Sequence, residues 1–147
     1  MVLILIGTGL SVALGAGAVL LGIRRHWVVV TVDGTSMLPA YAHGDRVLVR
    51  RRRLIHVRTG DVVVLEPPLN SDYRPTGPGA DGRHWNIKRA AALPGDPVPP
   101  HVAGHQDTAV VPLGALVVFG DNPDSIDSRH RGFYAANQLL GVVVRLL

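Results

Sequence analysis

From Val2 to Ile23 the chain runs for 22 residues without a charge, and no later stretch resembles it. At about 1.5 Å rise per residue, such a run spans roughly 33 Å as a helix, close to the thickness of a bilayer's hydrocarbon layer. The pattern predicts one N-terminal transmembrane helix. Residues 1–25 then form the anchor and its basic flank, Arg24-Arg25, and residues 26–147 form a separate domain. The five glycines of the run are tolerable because lipid offers the backbone no partner outside the helix. A cleavable secretory signal is the competing reading, since Ala16-Gly17-Ala18 has the small-residue character of a processing site. Two features favour the anchor: no basic side chain precedes the run, and the run continues past Ala18 as far as Ile23.

Beyond Ile23 the hydrophobic pattern changes from one long block to short β-branched runs. Trp27–Val32, Arg46–Arg50, Asp61–Leu65, Ala115–Phe119 and Gly141–Arg145 are such runs, punctuated by Gly44-Asp45, Gly60-Asp61, Pro94-Gly95-Asp96 and Gly120-Asp121. No segment here sustains a helical period over a dozen residues, although Tyr134–Leu140 has room for a turn or two. The expected fold is mainly β: a partly closed antiparallel β domain preceded by one transmembrane helix. Pro67–Arg83 and Pro97–Asp107, rich in Pro and Gly, read as exposed loops. About 120 residues are enough for one modest core.

The chain has no cysteine, which excludes a disulfide framework, a thiolate metal site and a cysteine nucleophile. Its seven histidines do not suggest a metal centre either. His101 and His105 share a Pro/Gly-rich loop, where four-residue spacing does not align two side chains, and the others are isolated. No metal and no cofactor is expected. Arg50–Arg53, with Arg46 and Arg58 nearby, admits three readings: a solvated hairpin end, a contact with anionic lipid headgroups, or a nucleic-acid patch. A net charge of +4 permits the last, but few rings flank the cluster and no nucleic-acid-binding motif is present, so no nucleic-acid partner is expected.

Fourteen of the fifteen basic residues are arginine, and Lys88 is the lone lysine. A guanidinium keeps its proton in any protein, whereas a buried amine can lose it near neutral pH and then accept one from a hydroxyl. Ser36, in Gly34-Thr35-Ser36-Met37-Leu38-Pro39, is the matching candidate nucleophile. Codon bias that replaces Lys by Arg explains the count equally well, so the count alone does not decide.

Context adds to it. Val32–Tyr41 resembles the nucleophile box of type I signal peptidases, the membrane-bound Ser/Lys proteases that remove leader peptides, and His43–Val49 is similar to the box that follows it. Asn86–Asp96 looks like the lysine box, and Gly120–Arg129 like the final box. The four occur in the family's order. The final box is one residue shorter between Asn122 and Ser125 than the commonest pattern, and the short stretch before it excludes the large extra β domain of some members.

The resemblance implies a minimal, single-span enzyme with a signal-peptidase-like β domain and no cofactor. Ser36 Oγ would attack the scissile carbonyl while a neutral Lys88 takes its proton. Ser125 would orient the amine, Asp127 and Arg129 would pair to shape their loop, and the Ser36 backbone N–H would stabilise the oxyanion. A second oxyanion donor is unassigned, because Gly34 stands where some members carry a hydroxyl. Expected partners are precursor proteins or peptides, cut after small residues, and the lipid bilayer. The family places its catalytic domain outside the cytoplasm, and that orientation is expected here, although Arg24-Arg25 favours the opposite one. Two alternatives stay open: a specialised maturation protease for a dedicated precursor, and a catalytically silent peptide-binding β module.

Overall fold

A computed structural model describes residue 22 and residues 25–68, 83–105 and 107–147. Apart from residue 22, the expected transmembrane span lies outside the described residues, as does most of the Pro67–Arg83 loop. Among those described, no helix is long and apolar enough to cross a membrane.

Seven strands form one antiparallel sheet: β1 (Trp27–Thr31), β2 (Arg46–Arg51), β3 (Val62–Leu65), β4 (Asn86–Ala92), β5 (Ala115–Phe119), β6 (Tyr134–Ala135) and β7 (Leu139–Leu146). Their order is β1-β2-β7-β3-β4-β5-β6, which places the C-terminal strand between the first hairpin and the strands that carry Lys88. β1 and β6 are the two edges and do not pair, so the sheet is not closed into a barrel by strand pairing among the described residues. Closure was the part of the expected architecture that depended on two distant edges meeting. Tyr134–Leu140 contains one 3-10 helical turn, Ala136–Gln138, set between β6 and the start of β7.

β3 is buried along its whole length, so its alternating side chains feed two cores. Val62 and Val64 join Val32, Met37, Val47, Val49, Ile87 and Leu140 on one face. Val63 and Leu65 join Val57, Ala90, Leu116, Val118 and Tyr134 on the other. A third cluster, Ala92, Val102, Val111 and Val117, fills the end of the sheet nearest the Pro97–Asp107 loop. The short α-helix α1 (Ser128–Arg131) is one turn long and capped by Asp127, whose side chain accepts from the Arg129 N–H.

Candidate active site

Ser36 begins the turned segment that follows β1. Gly34, at φ +91°, takes a left-handed conformation that L side chains rarely adopt, and its N–H donates to His43 Nδ1 at 3.2 Å. Leu38 N–H then donates to Thr35 O and Tyr41 N–H to Met37 O, winding residues 35–41 into consecutive turns. Met37 is buried in the first core and pins this loop, leaving Ser36 half-buried beside it.

Lys88 lies on β4 directly opposite Val63 of β3, on the same face as Ala90. Alternation sends Ile87 into the first core and Lys88 toward the second, so Lys88 is only 4% exposed although it sits in a strand of mixed polarity. Burial brings its pKa down from 10.5 to about 8. Asp127 pulls the other way, and the positive charges of Arg131 and Arg129 add to the lowering. Lys88 Nζ donates a buried 2.8 Å hydrogen bond to Ser125 Oγ. No direct hydrogen bond joins Nζ to Ser36 Oγ among the described residues.

The loop after β5 brings these parts together. Asn122 N–H donates to Ser36 O at 3.1 Å and Asn122 Nδ2 donates to Thr35 O at 3.1 Å, tying the serine turn to the Gly120–Ser125 segment. Gly120 lies where the two meet: a Cβ on it would overlap both the Ser125 side chain and the Ser36 carbonyl oxygen. The Ser36 backbone, Ser125 and the Lys88 amine therefore share one small volume that glycine keeps open. Although its box is one residue short, Ser125 reaches the lysine because Ser125 N–H closes a turn onto Asn122 O at 3.0 Å.

Asp127 holds the far side of this loop. It is fully buried; Oδ2 accepts from Gly120 N–H at 2.8 Å and Arg129 Nη2 at 2.6 Å, and Oδ1 accepts from Arg129 Nε at 2.9 Å. Burial alone would raise this carboxyl, but the Arg129 and Gly120 hydrogen bonds outweigh it and hold the pKa below the usual value. The Arg129 guanidinium also stacks over Phe119 at 5.4 Å. Ser128 Oγ accepts from Val118 N–H at 2.9 Å and anchors the turn to β5.

One pair escaped sequence reasoning. Arg89, next to Lys88, forms a bidentate pair with Asp121, next to Gly120, at 2.8 and 2.6 Å, and its Nη1 donates to Gly60 O. This clamp fixes the register of the lysine strand against the Ser125 loop. Both residues stand inside segments that the sequence singles out, Arg89 in Asn86–Asp96 and Asp121 in Gly120–Arg129, but nothing in the sequence pairs them.

The histidines provide no competing centre. His43 Nδ1 lies 3.2 Å from Asp33 Oδ1, but both side chains are largely exposed and His43 makes no hydrogen bond to Ser36 among the described residues. No cluster of His, Cys, Asp or Glu among the described residues could hold a metal ion.

A buried amine of lowered pKa, hydrogen-bonded to one hydroxyl and adjoining the turn of another, is equipped for proton transfer to and from an alcohol. Comparison with curated proteins finds no match. The profile of the family described as "Signal peptidase, peptidase S26" matches residues 5–102 and 99–147. With both matches together spanning almost its full length, the chain belongs to the signal peptidase family, peptidase S26.

Proposed function

We propose that this signal peptidase family member is a membrane-anchored serine endopeptidase in which Ser36 is the nucleophile and Lys88 the general base. The neutral amine takes the Ser36 Oγ proton as the oxygen adds to the scissile carbonyl, and returns it to the leaving amine as the C–N bond breaks. Water, deprotonated by the same amine, then cleaves the acyl-enzyme and restores Ser36. Ser125 aims the amine, Asp127 and Arg129 hold the Ser125 loop, and the Ser36 N–H stabilises the oxyanion. Its substrates are leader peptides of exported precursors, cut after small residues. The uncharged Val2–Ile23 run is the anchor, and the β domain faces the side on which translocated chains emerge.

The observation that carries this reading is the buried Lys88 Nζ to Ser125 Oγ hydrogen bond, with Gly120 bringing the Ser36 backbone against the same serine. A lysine kept 4% exposed costs stability, and a base role gives a reason for the cost. The test is cleavage of a panel of leader peptides by the purified full chain in detergent. Loss of cleavage in both Ser36→Ala and Lys88→Arg is the expected result, because arginine keeps the charge but cannot give up its proton. Undiminished cleavage by either variant refutes the dyad. Protease accessibility of the β domain in spheroplasts tests orientation, and full protection would exclude leader processing on the outer side.

A further inference from the structure

Arg131, the last residue of α1, takes no part in the proton transfer described above, yet it carries a permanent charge into the protein. Both terminal nitrogens of its guanidinium are buried, and so is the hydroxyl of Tyr134 on β6. The side chains of Arg131 and Asn86 both lie against that hydroxyl. Asn86 and Lys88, two residues apart on β4, stand opposite Leu65 and Val63 of β3, and those two belong with Tyr134 to the second core. Alternation therefore puts Asn86 and Lys88 on one face of β4, and the guanidinium is held beside that face at Tyr134.

What a fixed cation does there follows from the charges around Lys88. The strands that flank β4 contribute none, since β3 (Val62–Leu65) and β5 (Ala115–Phe119) hold no ionisable side chain. Burial raises the pKa of the Tyr134 phenol and keeps it neutral. Arg89, next to Lys88, alternates to the other face and is bound to Asp121. Among the described residues this leaves Asp127, Arg131 and Arg129, in decreasing order of their effect on the amine. Asp127 and Arg129 form a bidentate pair whose charges largely cancel, but the carboxylate acts on Lys88 more strongly than its partner does. By itself the pair favours the ammonium, the form that cannot take a proton from Ser36. The loop and the base thus make opposing demands, because Asp127 must be ionised to hold Arg129 and Gly120, and the same charge stabilises a protonated lysine. Arg131 opposes that residual negative charge, and as a guanidinium it cannot shed its own proton to escape.

We propose that Arg131, held in place by Tyr134 and Asn86, is a positioning residue that keeps Lys88 in the neutral form a base needs. The inference rests on the reading of Lys88 as the base. It assigns the Asp127–Arg129 pair to the shape of the loop and Arg131 to the protonation state of the amine.

Because Lys88 is the only lysine, the full chain grown on lysine isotopically labelled at Cε gives one lysine NMR signal, and its pH titration follows Lys88 without any substrate. In Arg131→Met the titration midpoint should rise, in Tyr134→Phe it should rise by less, and in Arg46→Met, which removes an exposed charge three strands away on β2, it should not move. Cleavage of a leader peptide should follow the same order. Arg131→Met should lose kcat/KM severalfold at neutral pH and recover it above the raised midpoint, whereas Arg131→Lys, which keeps the charge, should retain the parent's pH profile. A purely structural role for Arg131 predicts a loss that is the same at every pH. An unmoved Lys88 midpoint in Arg131→Met overturns the inference whatever the activity, as does an unmoved midpoint in Tyr134→Phe should Arg131→Met fail to fold. A raised midpoint in a protein whose cleavage survives Lys88→Arg supports the electrostatic role of Arg131 and refutes the dyad instead.

Discussion

Replacing Lys88 by Met should make this protein more stable and inactive. The amine's pKa falls from 10.5 to about 8 on folding, chiefly because it is buried. That gap corresponds to about 3 kcal/mol of folding stability lost at pH 7, where the unfolded chain holds the proton freely and the folded chain pays to keep it. Methionine has nearly the same length and no charge to desolvate. Losing the hydrogen bond to Ser125 takes back about 1 kcal/mol, leaving a net gain of about 2 kcal/mol. The effect has a fixed pH window. Between about 8 and 10.5 the unfolded state binds the extra proton, so the parent's stability rises with pH across that range and the variant's advantage disappears by its upper end. Urea unfolding of parent and Lys88→Met, followed by the fluorescence of Trp27 and Trp85 below pH 8 and above 10.5, measures both. A variant less stable than the parent below pH 8, or two parallel pH profiles, would refute the claim that burial of the amine is costly.

Three further substitutions probe the site. Ser125→Ala should lower kcat roughly ten- to a hundredfold with little change in KM, since it removes the group that aims the amine; steady-state kinetics on a leader peptide show the split. Gly120→Ala should cost about 1–3 kcal/mol in urea unfolding and nearly all activity, because the added methyl overlaps Ser125 and the Ser36 carbonyl. Asp127→Asn should destabilise by about 3 kcal/mol at neutral pH by leaving Arg129 without its buried partner. The ionised Asp127 stabilises above its unfolded pKa and the benefit is lost as pH falls through its depressed folded value, so the variant's deficit should shrink in acid.

The strands were legible where composition and punctuation agreed: the β-branched runs at Trp27, Arg46, Val62 and Ala115 are strands within a residue of their expected bounds. β4 was less so. Asn86–Ala92 holds one β-branched residue, Ile87, and is a strand because β3 and β5 flank it, a tertiary preference that composition does not carry. The burial of Lys88 was not readable either, since it depends on which phase of the alternation faces which of two cores. Ser125 was found through the order of the boxes, and the structure supplies the turn that lets a shortened loop reach the amine. The Arg89–Asp121 clamp joins β4 to the loop after β5, 32 residues further along the chain, and no local pattern announces such a pair.

The pH dependence of kcat/KM on a leader peptide tests most directly whether an uncharged Lys88 is the base. Activity that rises with pH through about 8, with the limb moving lower in Asp127→Asn as the raising influence of that carboxylate is removed, is the predicted result. A limb near the ordinary histidine value of about 6.5, unmoved by Asp127→Asn, would contradict the account and transfer the role to an imidazole.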